Sequence, residues 1–396
     1  MKLILKLIAG IGLGILIGLF APDWIIRLLL TFKGLFGQLL FFIIPLLILF
    51  YITAGIAGLP KASGHLLGRT LGAAYLSTIL AGTLAFLVAA MIVPLLATAG
   101  GSPPPDEGQA LTPFIEMAIP PLLGIMSALA AAFIFGLGIA STGATTLKQF
   151  FEEGRDVIEI LLVKLIIPLL PFYIAGVFAE LAAAGTVFET LKTFGVILVL
   201  AVSLHWLWIA VLYTLAGLRA GASPLSLVRN MMPAYFTALG TMSSAATIPV
   251  TLKSVRSNGV REEIASFVVP LCATVHLAGS TITIVSCAVA VMVLHDSLAV
   301  PGLMTMMPFI LMLGLVMLAA PGVPGGAVMS AVGLLGSMLG FGETAVALMI
   351  ALYMAQDSFG TACNITGDGA IAVLVDQAAP DSEAAAHAGS GASQEA

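Results

Sequence analysis

Residues 356–370 read QDSFGTACNITGDGA. The chain of 396 residues around them is 60% hydrophobic and only 9% charged, yet this stretch holds two aspartates, an asparagine and two threonines. On a helix, Asp357, Thr361, Asn364 and Asp368 recur at steps of four, three and four, which is one face. Carboxylates are costly in hydrocarbon, so acids in a membrane segment turn to protein or water and mark functional paths. Asp357 is suited to hold an ammonium group, and Asp368 is a hard oxygen ligand for a small cation. Thr361 and Asn364 supply neutral polar atoms between them, and Gly360 shares the face without adding a side chain. The competing reading is a polar clamp between helices. It is weakened because no Lys or Arg follows Arg261 to neutralise the two acids.

Working outward, the surroundings of this stretch are membrane-like. Mean hydropathy is +1.13, and several runs exceed about 18 residues with few charges, the length that crosses a ~30 Å hydrocarbon core. A soluble protein would carry charge on about a quarter of its residues. The expected class is an all-α polytopic membrane protein with no separate soluble domain. The first run, LILKLIAGIGLGILIGLF after Lys2, lacks a small-residue cleavage site with a hydrophilic start behind it, so it reads as a retained helix. Cys272, Cys287 and Cys363 all lie in apolar segments without CxxC spacing, so neither a disulfide framework nor a zinc site is expected. The net charge of −5 is spread out, and the missing basic stripe speaks against nucleic acid. HExxH and GxSxG motifs are absent, as is a Ser–His pair at helical spacing, so an enzyme is not expected.

Spans are expected near 3–20, 36–58, 70–98, 119–141, 156–181, 193–217, 262–295 and 343–375, with a loop at 99–113. Two more segments, near 225–255 and 303–338, are apolar but interrupted at their middles by TMSSAATIPVT (Thr241–Thr251) and APGVPGGAV (Ala320–Val328). Pro249, Pro321 and Pro324 cannot continue a helical hydrogen-bond ladder. Irregular backbone at membrane depth is tolerated inside protein or against water. Two re-entrant hairpins satisfy both conditions; two kinked spans are the alternative. With the N-terminus in the cytoplasm and each hairpin returning to its own side, eleven Lys and Arg fall on the cytoplasmic side, against Arg27, Lys33 and Lys192 on the other and Lys164 within a span. IIPLLILFYITAG from Ile43 and IIPLLPFYIAG from Ile166 form a weak internal repeat, as secondary transporters have. A further break, PLCATVHLAGSTIT (Pro270–Thr283), places Thr274, His276, Ser280 and Thr281 in apolar sequence, with Gly279 expected to allow local unwinding.

The segments SSAATIPVT, GVPGG and NITGD, in this order, resemble the dicarboxylate/amino acid:cation symporter family, the glutamate transporter homologues. The likeness runs over roughly residues 5–375. It implies eight transmembrane helices plus two re-entrant helical hairpins with inverted repeats, in an elevator-type transporter that forms a homotrimer. The corresponding division is 1–69 for scaffold helices 1 and 2, 70–98 for transport-domain helix 3, and 99–192 for a loop and scaffold helices 4 and 5. Residues 193–378 complete the transport domain, and 379–396 form a disordered tail. By the same resemblance Asp357 grips the substrate amino group, and Asn364 holds its carboxylate with Ser244 and Ser280. Ser243, Gly322, Val323, Gly360 and Thr361 complete the expected substrate site. Asp368 ligates sodium with backbone carbonyls of Cys272, His276 and Asn364, and Thr274 contributes to a second sodium site with backbone before Gly322.

Three departures bear on substrate and coupling. Acidic-substrate members carry an arginine where Gly360 stands, and some bacterial members place one where Met242 stands. The family's Asn-Met-Asp-Gly-Thr run is HLAGS, so His276 and Ala278 replace its asparagine and aspartate. The resulting expectation is a sodium-coupled symporter for small neutral amino acids such as serine, threonine or alanine, in the inner membrane with both termini cytoplasmic. Sodium is the coupling ion rather than a cofactor. A dicarboxylate or acidic amino acid symporter is the first alternative, and a non-transporting sensor or scaffold is the second. With Ala278 removing one anionic cation ligand, fewer sodium ions per cycle are expected, and a proton taken up through His276 is the rival outcome.

Overall fold

The computed structural model describes residues 2–59, 64–97, 111–295 and 298–379. Most of the expected loop at 99–113, the tail beyond residue 379, and Lys61 lie outside these ranges. The first helices are α1 (Lys2–Phe20), α2 (Asp23–Ala57), α3 (Gly64–Ala97) and α4 (Ile125–Thr142). Next come α5 (Thr145–Leu161), a π-helical turn (Leu162–Ile166), α6 (Ile167–Ala183) and α7 (Val187–Ala220). The second half comprises α8 (Pro224–Thr241), α9 (Ser244–Ser257), α10 (Glu262–Val275), α11 (Ala278–Leu294), α12 (Leu303–Met317), α13 (Gly326–Leu339) and α14 (Glu343–Ala378). No strand occurs among the described residues.

Seven helical runs among the described residues are long and apolar enough to cross a membrane, with α5–α6 and α10–α11 each counted as one run. α1 adds a shorter apolar helix. The arms α8, α9, α12 and α13 have 18, 14, 15 and 14 residues. At 1.5 Å per residue an arm reaches about 21–27 Å, short of a ~30 Å core. The two arms of each pair also pack against each other, α8 on α9 and α12 on α13, so each pair forms a hairpin rather than one kinked span. The first turns at Met242 and Ser243. Met242 holds a left-handed backbone with φ 54°, and Ser243 caps α9 by accepting from the Ala246 N–H.

Several boundaries differ from the sequence reading: α2 begins at Asp23 rather than near 36, and the α5–α6 run begins at Thr145 rather than near 156. α4 begins at Ile125 rather than near 119, because Pro120 and Pro121 bias the residue before each away from helix and Gly124 follows. The break in the seventh span falls at His276 and Leu277, both non-helical, and not at Gly279. Gly279 lies in the first turn of α11 and serves close packing instead. A Cβ there would sit 2.4 Å from the Gly360 carbonyl oxygen and 2.6 Å from Cys363 Cβ on α14.

The internal repeat lies on α2 and α6, which pack antiparallel. Lys33 in the first third of α2 pairs with Glu180 near the end of α6 at 2.6 Å, while Phe50 near the end of α2 packs at a tilt against Phe151 of α5, ring centroids 5.7 Å apart. Antiparallel copies of one motif are what an inverted repeat requires. Elsewhere, α11 is enclosed by α3, α7 and α14, and nearly every residue of α11 and α14 is buried. That burial allows α14 to carry acids, since no side of it is left to lipid.

Candidate functional site

The two hairpin tips meet beside α14. Ser243 Oγ donates to the Gly322 carbonyl at 3.1 Å, tying the first tip to the second. Beneath this contact lies a small cavity of about 20 Å³. Its walls include Ser244 and Met242 of the first hairpin, Gly322 and Val323 of the second, Ser280 of α11, and Tyr353, Asp357, Thr361 and Asn364 of α14. Among the described residues, no Lys, Arg or His lines it. A larger open hollow of about 820 Å³ between α3 and α7 is apolar apart from Lys192 and Ser203, and it does not reach either acid.

Asp357 is buried, and both carboxylate oxygens accept hydrogen bonds. Oδ1 takes one from the Tyr353 hydroxyl at 2.9 Å, and Oδ2 takes one from the Gly325 N–H at 2.7 Å. Gly325 adopts φ 77°, a left-handed backbone that suits glycine. This conformation starts α13 with its N–H turned to Asp357. A carboxylate offers about four lone pairs, so acceptor capacity remains for a further donor.

Asn364 bridges α14 and the start of α11. Its Oδ1 accepts from the N–H groups of Gly279 at 2.8 Å and Ser280 at 3.2 Å. Its Nδ2 donates to Ser280 Oγ at 2.9 Å. The first N–H groups of a helix have no intrahelical acceptor, so Asn364 caps α11 from the neighbouring helix. One of its two amide hydrogens remains uncommitted. Thr361 faces the cavity and returns its hydroxyl to the Asp357 carbonyl.

Asp368 lies one further step along the same face and is fully buried. Its Oδ1 is 2.8 Å from His276 Nδ1, and its Oδ2 has no hydrogen-bond partner. An orphaned, buried carboxylate oxygen suits a hard cation, which would supply the missing partner. His276 Nε2 in turn lies 2.9 Å from Ser77 Oγ on α3, and Trp208 Nε1 on α7 donates to the same oxygen at 3.2 Å. The Cys272 carbonyl accepts the His276 backbone N–H and is buried beside this group.

Of the residues expected from sequence, Ser244, Ser280, Gly322, Val323, Asp357, Thr361 and Asn364 share the cavity, and Ser243 closes it. His276 and Asp368 form a neighbouring pair. Gly360 does not line the cavity: a Cβ there would point to Thr283 Oγ1 at 3.2 Å and to the Gly279 backbone at 3.5 Å. Thr274 stands apart as well, exposed and bonded to the Leu271 carbonyl of its own helix. Tyr353, Ser77, Trp208 and His205 were missed. Tyr353 could have been found, since it precedes Asp357 by four residues on the same face. His205 places Nε2 3.0 Å from the Gly279 carbonyl and 3.1 Å from Thr283 Oγ1, supporting the start of α11.

Comparison with known proteins places the chain in a family. The model of the sodium:dicarboxylate symporter family matches residues 3–378. A serine/threonine transporter, SstT, of Streptococcus suis (strain 05ZYH33) is 30% identical over 302 residues, which is 72% of this chain and 81% of the relative. A family match over nearly the whole chain, on a helical membrane architecture with two hairpins meeting at buried acids, shows that the chain belongs to the sodium:dicarboxylate symporter family.

Proposed function

We propose that this protein is a sodium-coupled symporter for small neutral amino acids of the serine and threonine type. One observation carries the reading: the cavity between the hairpin tips contains a buried carboxylate, Asp357, and, among the described residues, no basic side chain. An ammonium group there gains a charge-assisted partner. A second carboxylate on the substrate would be buried without a countercharge, which is costly. The α-carboxylate is served by the free amide hydrogen of Asn364 and the hydroxyls of Ser280 and Ser244. The relative's description as a serine/threonine transporter points the same way.

A cavity of about 20 Å³ holds about one water, so the hairpins must part to admit an amino acid. Their surroundings differ. α13 is buried from Gly326 to Leu335, and a Cβ on Gly333 would meet Ile125 of α4 at 2.6 Å and Ile48 of α2 at 3.2 Å. Ala245 and Ala246 at the first tip are exposed. The base of the first hairpin carries Arg229, Lys253 and Arg256, which by the charge bias lies in the cytoplasm. We read this arrangement as the cytoplasm-facing end of an elevator cycle. In it α1, α2 and α4–α6 serve as the scaffold, α3 and α7–α14 move, and three subunits assemble. Sodium binds at Asp368, whose Oδ2 and nearby backbone carbonyls supply oxygen. The test is uptake into proteoliposomes across a panel of serine, threonine, alanine, aspartate and succinate, with and without a sodium gradient. Sodium-driven serine uptake is expected; uptake of succinate alone would overturn the reading.

A further inference from the structure

The pair His276–Asp368 continues into a relay whose direction follows from donor chemistry. The Trp208 indole N–H can only donate, and its partner is Ser77 Oγ at 3.2 Å. The Ser77 hydroxyl proton is therefore turned away from Trp208, towards its other polar neighbour, His276 Nε2, at 2.9 Å. Nε2 then accepts, and the ring hydrogen sits on Nδ1, which donates to Asp368 Oδ1 at 2.8 Å. Every proton in this chain has one acceptor. With the hydrogen on Nε2 instead, two donors would converge on Ser77 and a bare Nδ1 would face a carboxylate oxygen.

The ring is also held sterically. A Cβ on Gly367 would lie 2.8 Å from His276 Cε1, so the imidazole rests against α14 where only a glycine leaves room. His276 itself is non-helical at the break between α10 and α11, with φ −109° and ψ 90°. Four elements thus converge on one carboxylate oxygen: α7 through Trp208, α3 through Ser77, the break through His276, and α14 through Asp368. Asp368 Oδ2 is left as the buried oxygen without a protein donor.

We infer that Ser77 and Trp208 are positioning residues for the coupling ion: through His276 they fix the rotation of the Asp368 carboxylate, so that one oxygen is tied down and the other is reserved for sodium. This rests on the proposed sodium role of Asp368. Neither residue touches the substrate cavity, whose walls they do not join. Their removal acts on sodium before it acts on the amino acid.

The experiment measures radiolabelled serine uptake in proteoliposomes at varied sodium chloride for the full-length protein and four variants, Ser77→Ala, Trp208→Phe, Ser77→Thr and Asp368→Asn. Losing one relay hydrogen bond is expected to raise the sodium concentration for half-maximal uptake about three- to tenfold in Ser77→Ala and Trp208→Phe. The serine concentration for half-maximal uptake at saturating sodium should stay at the wild-type value. Ser77→Thr keeps the hydroxyl and should keep the wild-type sodium response, which a purely packing role would not predict. If Ser77→Ala does not fold, Trp208→Phe reads the same quantity. An unchanged sodium response in both, with Asp368→Asn losing it, overturns the relay and leaves the sodium site standing. Equal weakening of serine and sodium also overturns it. A wild-type sodium response in Asp368→Asn overturns the sodium site itself.

Discussion

Asp357→Asn is the most direct perturbation of the substrate site. Both oxygens of Asp357 face donors, the Tyr353 hydroxyl at 2.9 Å and the Gly325 N–H at 2.7 Å. An asparagine has one oxygen and one NH₂. The Gly325 N–H can only donate, so the oxygen must turn to it, and the NH₂ must face Tyr353. The tyrosine hydroxyl can rotate to accept, so the fold survives the change. What is lost is the negative charge and the oxygen on the Tyr353 side. A hydrogen bond to a charged group contributes about 1.5–3 kcal/mol. At 1.4 kcal/mol per decade this corresponds to a fall in serine affinity of about 10- to 150-fold. The assay is equilibrium binding of radiolabelled serine to purified protein at saturating sodium. Tyr353→Phe is the control, because it removes one donor and leaves the charge, and a much smaller loss is expected. Wild-type serine affinity in Asp357→Asn would refute the assignment of the ammonium partner.

Other substitutions probe the packing that holds the site. Gly279→Ala would place Cβ 2.4 Å from the Gly360 oxygen, forcing α11 from α14; overpacking of about 1–3 kcal/mol is expected to lower the thermal midpoint in detergent, and an unchanged midpoint would show that the helices yield freely. Gly360→Arg, which from the sequence reads as a route to acidic substrates, is expected to abolish serine binding without adding aspartate uptake, because the side chain starts against Thr283 and Gly279; a gain of aspartate uptake would show that the guanidinium reaches the cavity. Gly333→Val is expected to drive α13 away from Ile125 and Ile48 and to lengthen spin-label distances between α13 and α2, whereas unchanged distances would mean that this contact does not select the arrangement.

Several parts of this structure were legible because they depend on local patterns. Acids and amides at steps of four, three and four mark one helical face wherever that helix packs, so Asp357, Thr361, Asn364 and Asp368 could be grouped before any contact was known. Proline interrupting an apolar run excludes a simple span, so both hairpins could be placed within a few residues. Extending the period back one turn from Asp357 would have added Tyr353.

Hydropathy, helical period, proline and charge bias are carried along the chain, and they determined the membrane class, the two interrupted segments and the polar face, while the short motifs SSAATIPVT, GVPGG and NITGD carried the family likeness. Which way a residue on that face turns is settled by its neighbours across space, and this only the tertiary structure decided. Gly360 shares the stripe in sequence but faces α11, because two glycines let α11 and α14 approach to backbone contact. Thr274 is two residues from His276, yet one is exposed and the other fully buried, because the helix ends between them. The relay from Trp208 through Ser77 and His276 to Asp368 joins positions up to 291 residues apart. No local period records such a pairing, since it exists only where four separately placed backbones bring one donor to one acceptor.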